Sequence, residues 1–271
     1  MSQTVVTDHA LAARLERAEG RASVAFIEAR AAVSPSVGAE WREFDGTLAM
    51  FDGASSPITQ TFGLGMFADL SDHALEAIEA FFAKRGADTM HETCPLADAR
   101  LLSILPDRGY RPIEQSSVMY QPLDAERVST VSNELRVRMV QRGQELEWAE
   151  TASRGWGDTP ELAAFMLDFG LLTARAVGMR CYVADWKGVP AGAAAMFVHE
   201  GVGLLAGAST APEFRRRGVQ AALLAARLTD AARTGCDLAM MVALPGSSSQ
   251  RNAERRGFRI GYTRTKWMRQ R

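Results

Sequence analysis

Residues 202–235, VGLLAGASTAPEFRRRGVQAALLAARLTDAARTG, constrain the fold more than any other stretch. The apolar run 203–209 reads as a short strand and 210–214 as an irregular turn. Arg215-Arg216-Arg217-Gly218 then opens directly into a helix. Val219, Leu223, Leu224, Leu228, Ala231 and Ala232 keep helical spacing, and Gly235 is placed to end the helix in a left-handed cap.

A helix started this way suits an anion. Its first backbone N–H groups have no partner within the helix, and the macrodipole favours negative charge there. Gly218 lets a ligand approach the backbone closely, and the three arginines raise the local potential. The natural guest is a pyrophosphate; the plain alternative is a helix start with solvated arginines.

The run S-T-A-P-E-F-R-R-R-G-V-Q-A-A-L-L resembles motif A of the GNAT superfamily of acyl-CoA-dependent N-acyltransferases. The family pattern is [Q/R]-x-x-G-x-[G/A] after a strand ending in V-x-P-x-x-R. Arg215, Gly218 and Pro212 match it, Thr210 stands at the usual Val, and Gln220 departs from the final Gly/Ala.

The net charge of −1 argues against a nucleic-acid partner and makes the arginine triplet a local feature. With 47% hydrophobic and 23% charged residues, the 271-residue chain has material for two domains or one large one. Cys94, Cys181 and Cys236 are odd in number and widely spaced, which fits reduced core residues. The four histidines show no metal-ligand spacing with them, so no metal is expected. No apolar run approaches the length of a membrane span, and the N-terminus lacks a basic segment leading into an apolar one. A cytoplasmic protein without membrane partners is the expectation.

In order, the pattern predicts a helix over 8–33, with Gly20 as a candidate break, and a hairpin of 41–44 and 47–51 closed by Asp45-Gly46. A strand at 58–62, a helix at 72–84 capped by Ser71 or Asp72, a strand at 89–94, a helix at 97–105 and a strand at 111–120 follow. Residues 121–133 read as a linker. The second half predicts a strand at 135–140, then helices at 145–153 and 160–176 around Gly155-Trp156-Gly157. Strands at 181–186 and 191–199 join at Lys187-Gly188, and Glu200-Gly201 leads into the key stretch. A strand at 237–243, a helix at 250–256 and a strand at 258–268 end the chain.

The halves repeat. Arg85-Gly86-Ala87-Asp88 to Arg108-Gly109-Tyr110-Arg111 parallels Thr234-Gly235-Cys236-Asp237 to Arg256-Gly257-Phe258-Arg259, with glycine intervals of 23 and 22 residues. The expected fold class is α/β of the α+β type: two tandem GNAT-like domains, each a mixed, mostly antiparallel sheet flanked by helices. The domains expected are 1–122, a degenerate copy, and 134–271, the acyl-CoA-binding one. In the first copy the equivalent segment TFGLGMFADLSD has no arginine, and Asp69 and Asp72 near the helix start would repel a pyrophosphate.

The resemblance implies a sheet that splays near the end of strand 203–209. The backbone of Ala208, Ser209 and Thr210 would then pair with the pantetheine arm of acetyl-CoA. The amides of Arg216, Arg217, Gly218, Val219, Gln220 and Ala221 would take the pyrophosphate, and arginine side chains, Arg215 included, would add charge-assisted bonds. The mechanism implied is direct attack of an amine on the thioester. The family's usual Tyr is Ala253 here and the central strand has no Glu. Ser249 is the best substitute proton donor, its alternative role being to cap the helix from Gln250; Asn252 would bond pantetheine or sit on the helix surface. By the resemblance, Trp148, Trp156, Phe165 and Phe169 lie on or between the helices that line the acceptor cleft. Most of them read as core, and Trp156, between two glycines, is the one placed at the cleft, with plain packing as its alternative role.

The resulting expectation is an N-acetyltransferase moving an acetyl group from acetyl-CoA to a small-molecule amine. A protein amine is the rival within that class. A non-catalytic acyl-CoA sensor and a phosphate-binding module without CoA are the alternatives outside it.

Overall fold

The computed structural model describes residues 5–123, 134–156 and 159–270, so most of the expected linker, and Gly157, lie outside the described residues. The first half runs α1 (His9–Val33), β1 (Glu40–Phe44), β2 (Thr47–Phe51), β3 (Gln60–Phe62), α2 (Asp72–Ala83), β4 (Thr89–Thr93), α3 (Leu101–Asp107) and β5 (Arg111–Pro122). The second runs β6 (Leu135–Met139), α4 (Glu145–Ser153), α5 (Pro160–Arg175), β7 (Met179–Trp186), β8 (Val189–His199), β9 (Val202–Thr210), α6 (Val219–Arg233), β10 (Leu238–Ala243), α7 (Ser248–Glu254) and β11 (Arg259–Arg269). Two compact units result: Met1–Gln121 with Met240–Arg271, and Pro122–Ala239.

In the first unit the strand order is β1-β2-β3-β4-β11-β5-β10. Strand β1 pairs antiparallel with β2, β2 with β3, and β11 with both β4 and β5, whereas β3 and β4 run parallel. Asp45 and Gly46, both at positive φ, close the first hairpin as the Asp-Gly pair predicts. Helix α1 is unbroken at Gly20. A β-carbon there would lie 2.9 Å from Leu48 Cδ1, so glycine serves to bring the helix down onto β2 and β3. Helix α3 starts later than its apolar pattern, because the Asp98 amide donates to Gly65 O (2.9 Å) and its carboxylate accepts from the Arg100 amide (2.9 Å). These bonds hold a turn where a helix is otherwise expected.

Strand β11 lies between β4 and β5, with Trp267 opposite His91 on one side and Tyr262 opposite Val118 on the other. Buried Arg264 ties it to α1 and β4: its guanidinium is 3.2 Å from Glu16, 2.9 Å from Glu19 and 3.2 Å from Glu92. Burial raises the Glu16 carboxyl above its ordinary range, and Arg264 offsets this in part. The compact units therefore do not follow the sequence repeat, since the last strand of the second copy is built into the sheet of the first.

The repeat itself extends to individual hydrogen bonds. Ala87 N donates to Phe82 O after α2, and Cys236 N to Ala231 O after α6 (3.2 and 3.0 Å). Tyr110 N donates to Leu105 O after α3, and Phe258 N to Ala253 O after α7 (3.0 and 3.1 Å). Both are the long-range bond of a glycine-terminated helix.

The second unit is an antiparallel meander in the order β9-β8-β7-β6. Against one face lies α4, where Trp148, Ala149 and Ala152 pack on Cys181, Val183, Ala193 and Ala195. Helix α6 covers the other. Glycine at 192 and 203 admits it, since β-carbons would stand 2.6 Å from Val219 Cγ1 and 3.0 Å from Ala231 Cβ. The three cysteines are free and buried, and burial pushes the Cys94 and Cys181 thiols up to about 12. Among the described residues no helix is long and apolar enough to cross a membrane, and no group of three or more His, Cys, Asp or Glu could hold a metal ion.

Candidate functional site

The site is built on the end of β9 and the start of α6. Along β9 the register with β8 runs from His199↔Val202 to Ala195↔Ala206, then resumes at Ala193↔Ser209. Gly207 and Ala208 therefore oppose Ala194 alone, a bulge that Gly207 permits by taking φ +58°. The bulge re-aims the strand at Ala208, Ser209 and Thr210, the residues expected to meet the pantetheine arm.

After β9 the chain turns through a 3-10 segment, Pro212–Phe214, and reaches Gly218 as the N-cap of α6 at φ +79°. No side chain caps this helix start and no acidic residue lies in its first turn. The first helical bond with Gly218 as acceptor comes from Ala222 N (3.0 Å), so the amides of Val219, Gln220 and Ala221 precede the helical ladder. A β-carbon at Gly218 would come no nearer than 3.8 Å to Leu135, so the glycine answers to backbone conformation and to the open space in front of it.

Arg215, Arg216 and Arg217 are exposed. Arg216 sits in the left-handed region at φ +64°, a strained state for a residue with a β-carbon. Arg217 lies over the Trp186 ring at 5.3 Å and the Phe214 ring at 5.9 Å, which steers its charge along the turn.

The turn after α4 is fastened to the same place. A β-carbon at Gly155 would fall 2.5 Å from Ser209 Cβ and 3.0 Å from Thr210 N, so only glycine fits against β9 there. Ser209 Oγ donates to Ala152 O (2.9 Å), and Arg154 pairs with Glu213 while donating to Pro190 O (3.2 Å). Trp156, next along, is 46% exposed, whereas Trp148 is buried. The second unit thus brings together Ala208 through Ala221 and the turn carrying Trp156.

Ser249 and Asn252 stand on α7, in the other compact unit. Ser247, not Ser249, caps that helix, its Oγ accepting from Gln250 N (3.2 Å), so α7 begins two residues before the expected start. Ser249 lies in the first turn and Asn252 Oδ1 accepts from Arg255 Nη1 (3.2 Å). Ala253 is buried and closes the helix end as Leu105 does in the first copy.

Sequence reasoning passed over Arg227. Val219, Leu223, Arg227 and Ala231 stand four residues apart and all are buried, so an arginine occupies the apolar stripe of α6. Its break in that stripe was the signal. The Gly207 bulge and the fastening role of Gly155 left no such mark.

Residues 142–258 match the family model described as Acetyltransferase (GNAT) family. No curated protein matches the chain in sequence. Among solved structures, a GCN5-related N-acetyltransferase from Kribbella flavida is similar over 92% of this chain and 94% of its own, at 18% identity and a TM-score of 0.65. A tandem GNAT protein from the clavulanic acid biosynthesis pathway is similar over 82% of this chain and 78% of its own, at 13% identity and a TM-score of 0.59. A functionally unknown conserved protein from Staphylococcus epidermidis covers 86% and 95%, at 9% identity and 0.59. At such identities the likeness speaks for the fold: a tandem GNAT architecture with a mostly antiparallel sheet flanked by helices.

Proposed function

Because the chain carries a domain of the acetyltransferase (GNAT) family over residues 142–258, we propose that it transfers an acetyl group from acetyl-CoA to the primary amine of a small molecule. The observation that carries this reading is the uncapped start of α6 at Gly218 beside the Gly207 bulge, inside the matched stretch. The amides from Arg216 to Ala221 hold the pyrophosphate, with Arg215 to Arg217 adding charge. The backbone of Ala208, Ser209 and Thr210 receives the pantetheine arm as an added strand would. A backbone amide at the bulge is then placed to polarise the thioester carbonyl as the amine attacks.

The amine gives up its proton to solvent, and Ser249 relays a solvent proton to the departing thiolate, regaining its own as it does so, with Asn252 bonding the pantetheine. Trp156 covers the acceptor. The repeats 1–122 and 134–271 are two copies of one domain, of which the second keeps the donor site. A non-catalytic acyl-CoA sensor is the second reading, favoured by alanine at position 253. Calorimetric titration with acetyl-CoA, followed by an amine screen read as CoA release, tests both. One site per chain with turnover supports the transferase, binding without turnover on any amine supports the sensor, and no binding overturns both.

A further inference from the structure

The unused feature of the second unit is its buried arginine. Arg227 is 3% exposed, and its side chain runs under the sheet from α6. Nη1 donates to Ala195 O (3.0 Å) and to Ala206 O (3.3 Å), and Nε to Leu223 O (3.1 Å). Among the described residues no carboxylate pairs with it. A buried cation without a counter-ion is costly, and a core leucine would fit the stripe, so the guanidinium must return something for its desolvation. Burial lowers its pKa to about 10, which leaves it charged at neutral pH.

What it holds is specific. Ala195 and Ala206 are the last paired residues before the bulge, and Nη1 bridges the carbonyls of that pair. From the opposite face Trp148 Nε1 donates to Ala194 O (3.2 Å), the residue facing the bulge, and to Tyr182 O (3.1 Å). The bulge is pinned by a side chain on each face. Two N–H groups in the fixed fork of an arginine hold a bridging geometry that the single rotating ammonium of a lysine holds less well.

We infer that Arg227 is a positioning residue, its guanidinium holding the β9 bulge in the shape that presents the backbone of Ala208, Ser209 and Thr210 to the pantetheine arm. The inference rests on the acyl-CoA reading above for the identity of the ligand. It assigns Arg227 no contact with that ligand.

Two titrations separate this role from general support of the fold: acetyl-CoA, and adenosine 3′,5′-bisphosphate, which lacks the pantetheine arm. Arg227→Met is expected to weaken acetyl-CoA by about tenfold or more, leave the bisphosphate within about twofold, and speed amide hydrogen exchange at 207–210. Arg227→Lys is expected to recover part of both losses. Unchanged acetyl-CoA affinity in a folded Arg227→Met protein overturns the inference, as does equal weakening of both ligands. If Arg227→Met does not fold, Arg227→Lys is read by the same criterion: a loss confined to acetyl-CoA supports the role, and an equal loss or none overturns it. Wild-type protein that binds neither ligand removes the acyl-CoA reading instead. Exchange at 207–210 in the variants then still decides whether Arg227 holds the bulge.

Discussion

Helices α2 and α6 occupy equivalent places in the two copies and end alike, yet they begin in opposite ways. Ser71 Oγ caps α2 by accepting from Ala74 N (3.1 Å), and Asp72 in its first turn pairs with Arg108 at 2.7 Å. The loop before α2 is stitched to the loop before α3 by Asp98 N to Gly65 O and by Arg100 Nη2 to Leu70 O (2.9 and 3.3 Å). Strand β3 stays paired with β4 through Phe62↔Glu92, and Thr61 Oγ1 lies 2.7 Å from His91 Nδ1. The first copy satisfies its own helix start. The second has glycine, arginine at positive φ and no side-chain cap, the helix start at which the proposed function puts the pyrophosphate.

The sharpest way to break this contrast is Gly218→Glu, which adds a carboxylate and forces a β-carbon into a left-handed position. Acetyl-CoA affinity is expected to fall at least about a hundredfold, roughly 3 kcal/mol, by calorimetry. A second site per chain surviving the change would show that α2 binds the donor too.

Next comes acid. Burial lowers the His91 pKa to about 3, with nearby Arg269 adding to the effect, against 6.5 for a free imidazole. The unfolded chain takes up this proton below about pH 6.5 and the folded one only near pH 3. Stability is therefore complete above 6.5 and declines as pH falls, on the order of 1.4 kcal/mol per unit across that window. Urea midpoints measured against pH should fall less steeply for His91→Phe; equal slopes would remove His91 from the stitching.

Ser71→Ala should cost about 1 kcal/mol in chemical denaturation and create no acetyl-CoA binding, because the stitched loops remain. Arg216→Gly is the smallest change. Relief of its backbone strain should stabilise the protein by up to about 1 kcal/mol, while donor affinity drops a few-fold and becomes less salt-dependent.

Much of this contrast could be read from residues alone. Helical spacing delimits α4 at Glu145–Ser153, the Asp-Gly and Lys-Gly pairs mark their hairpins, and the arginine-glycine turn is plain in the sequence. What escaped were features set by partners distant in sequence. Arg264 reads as one more arginine until it is seen among Glu16, Glu19 and Glu92. Nothing in the alternation of β5 or β11 says which of them lies against β4. Gly155 and Gly207 look like ordinary turn residues, although one fits a close approach to Ser209 and the other a bulge.

The position of β11 bears on when the protein can fold. A ribosome delivers α1 to β5 first, with β4 still lacking the neighbour it has in the finished sheet. Everything from β6 to α7 must emerge before that neighbour exists. During synthesis the early copy carries an unpaired strand edge, and the carboxylates of Glu16 and Glu92 lack the partners that β11 brings. Tyr262, Arg264 and Lys266, all on β11, are what answer those carboxylates, so β11 acts as a checkpoint: a nascent chain cut short before it leaves its first half unfinished.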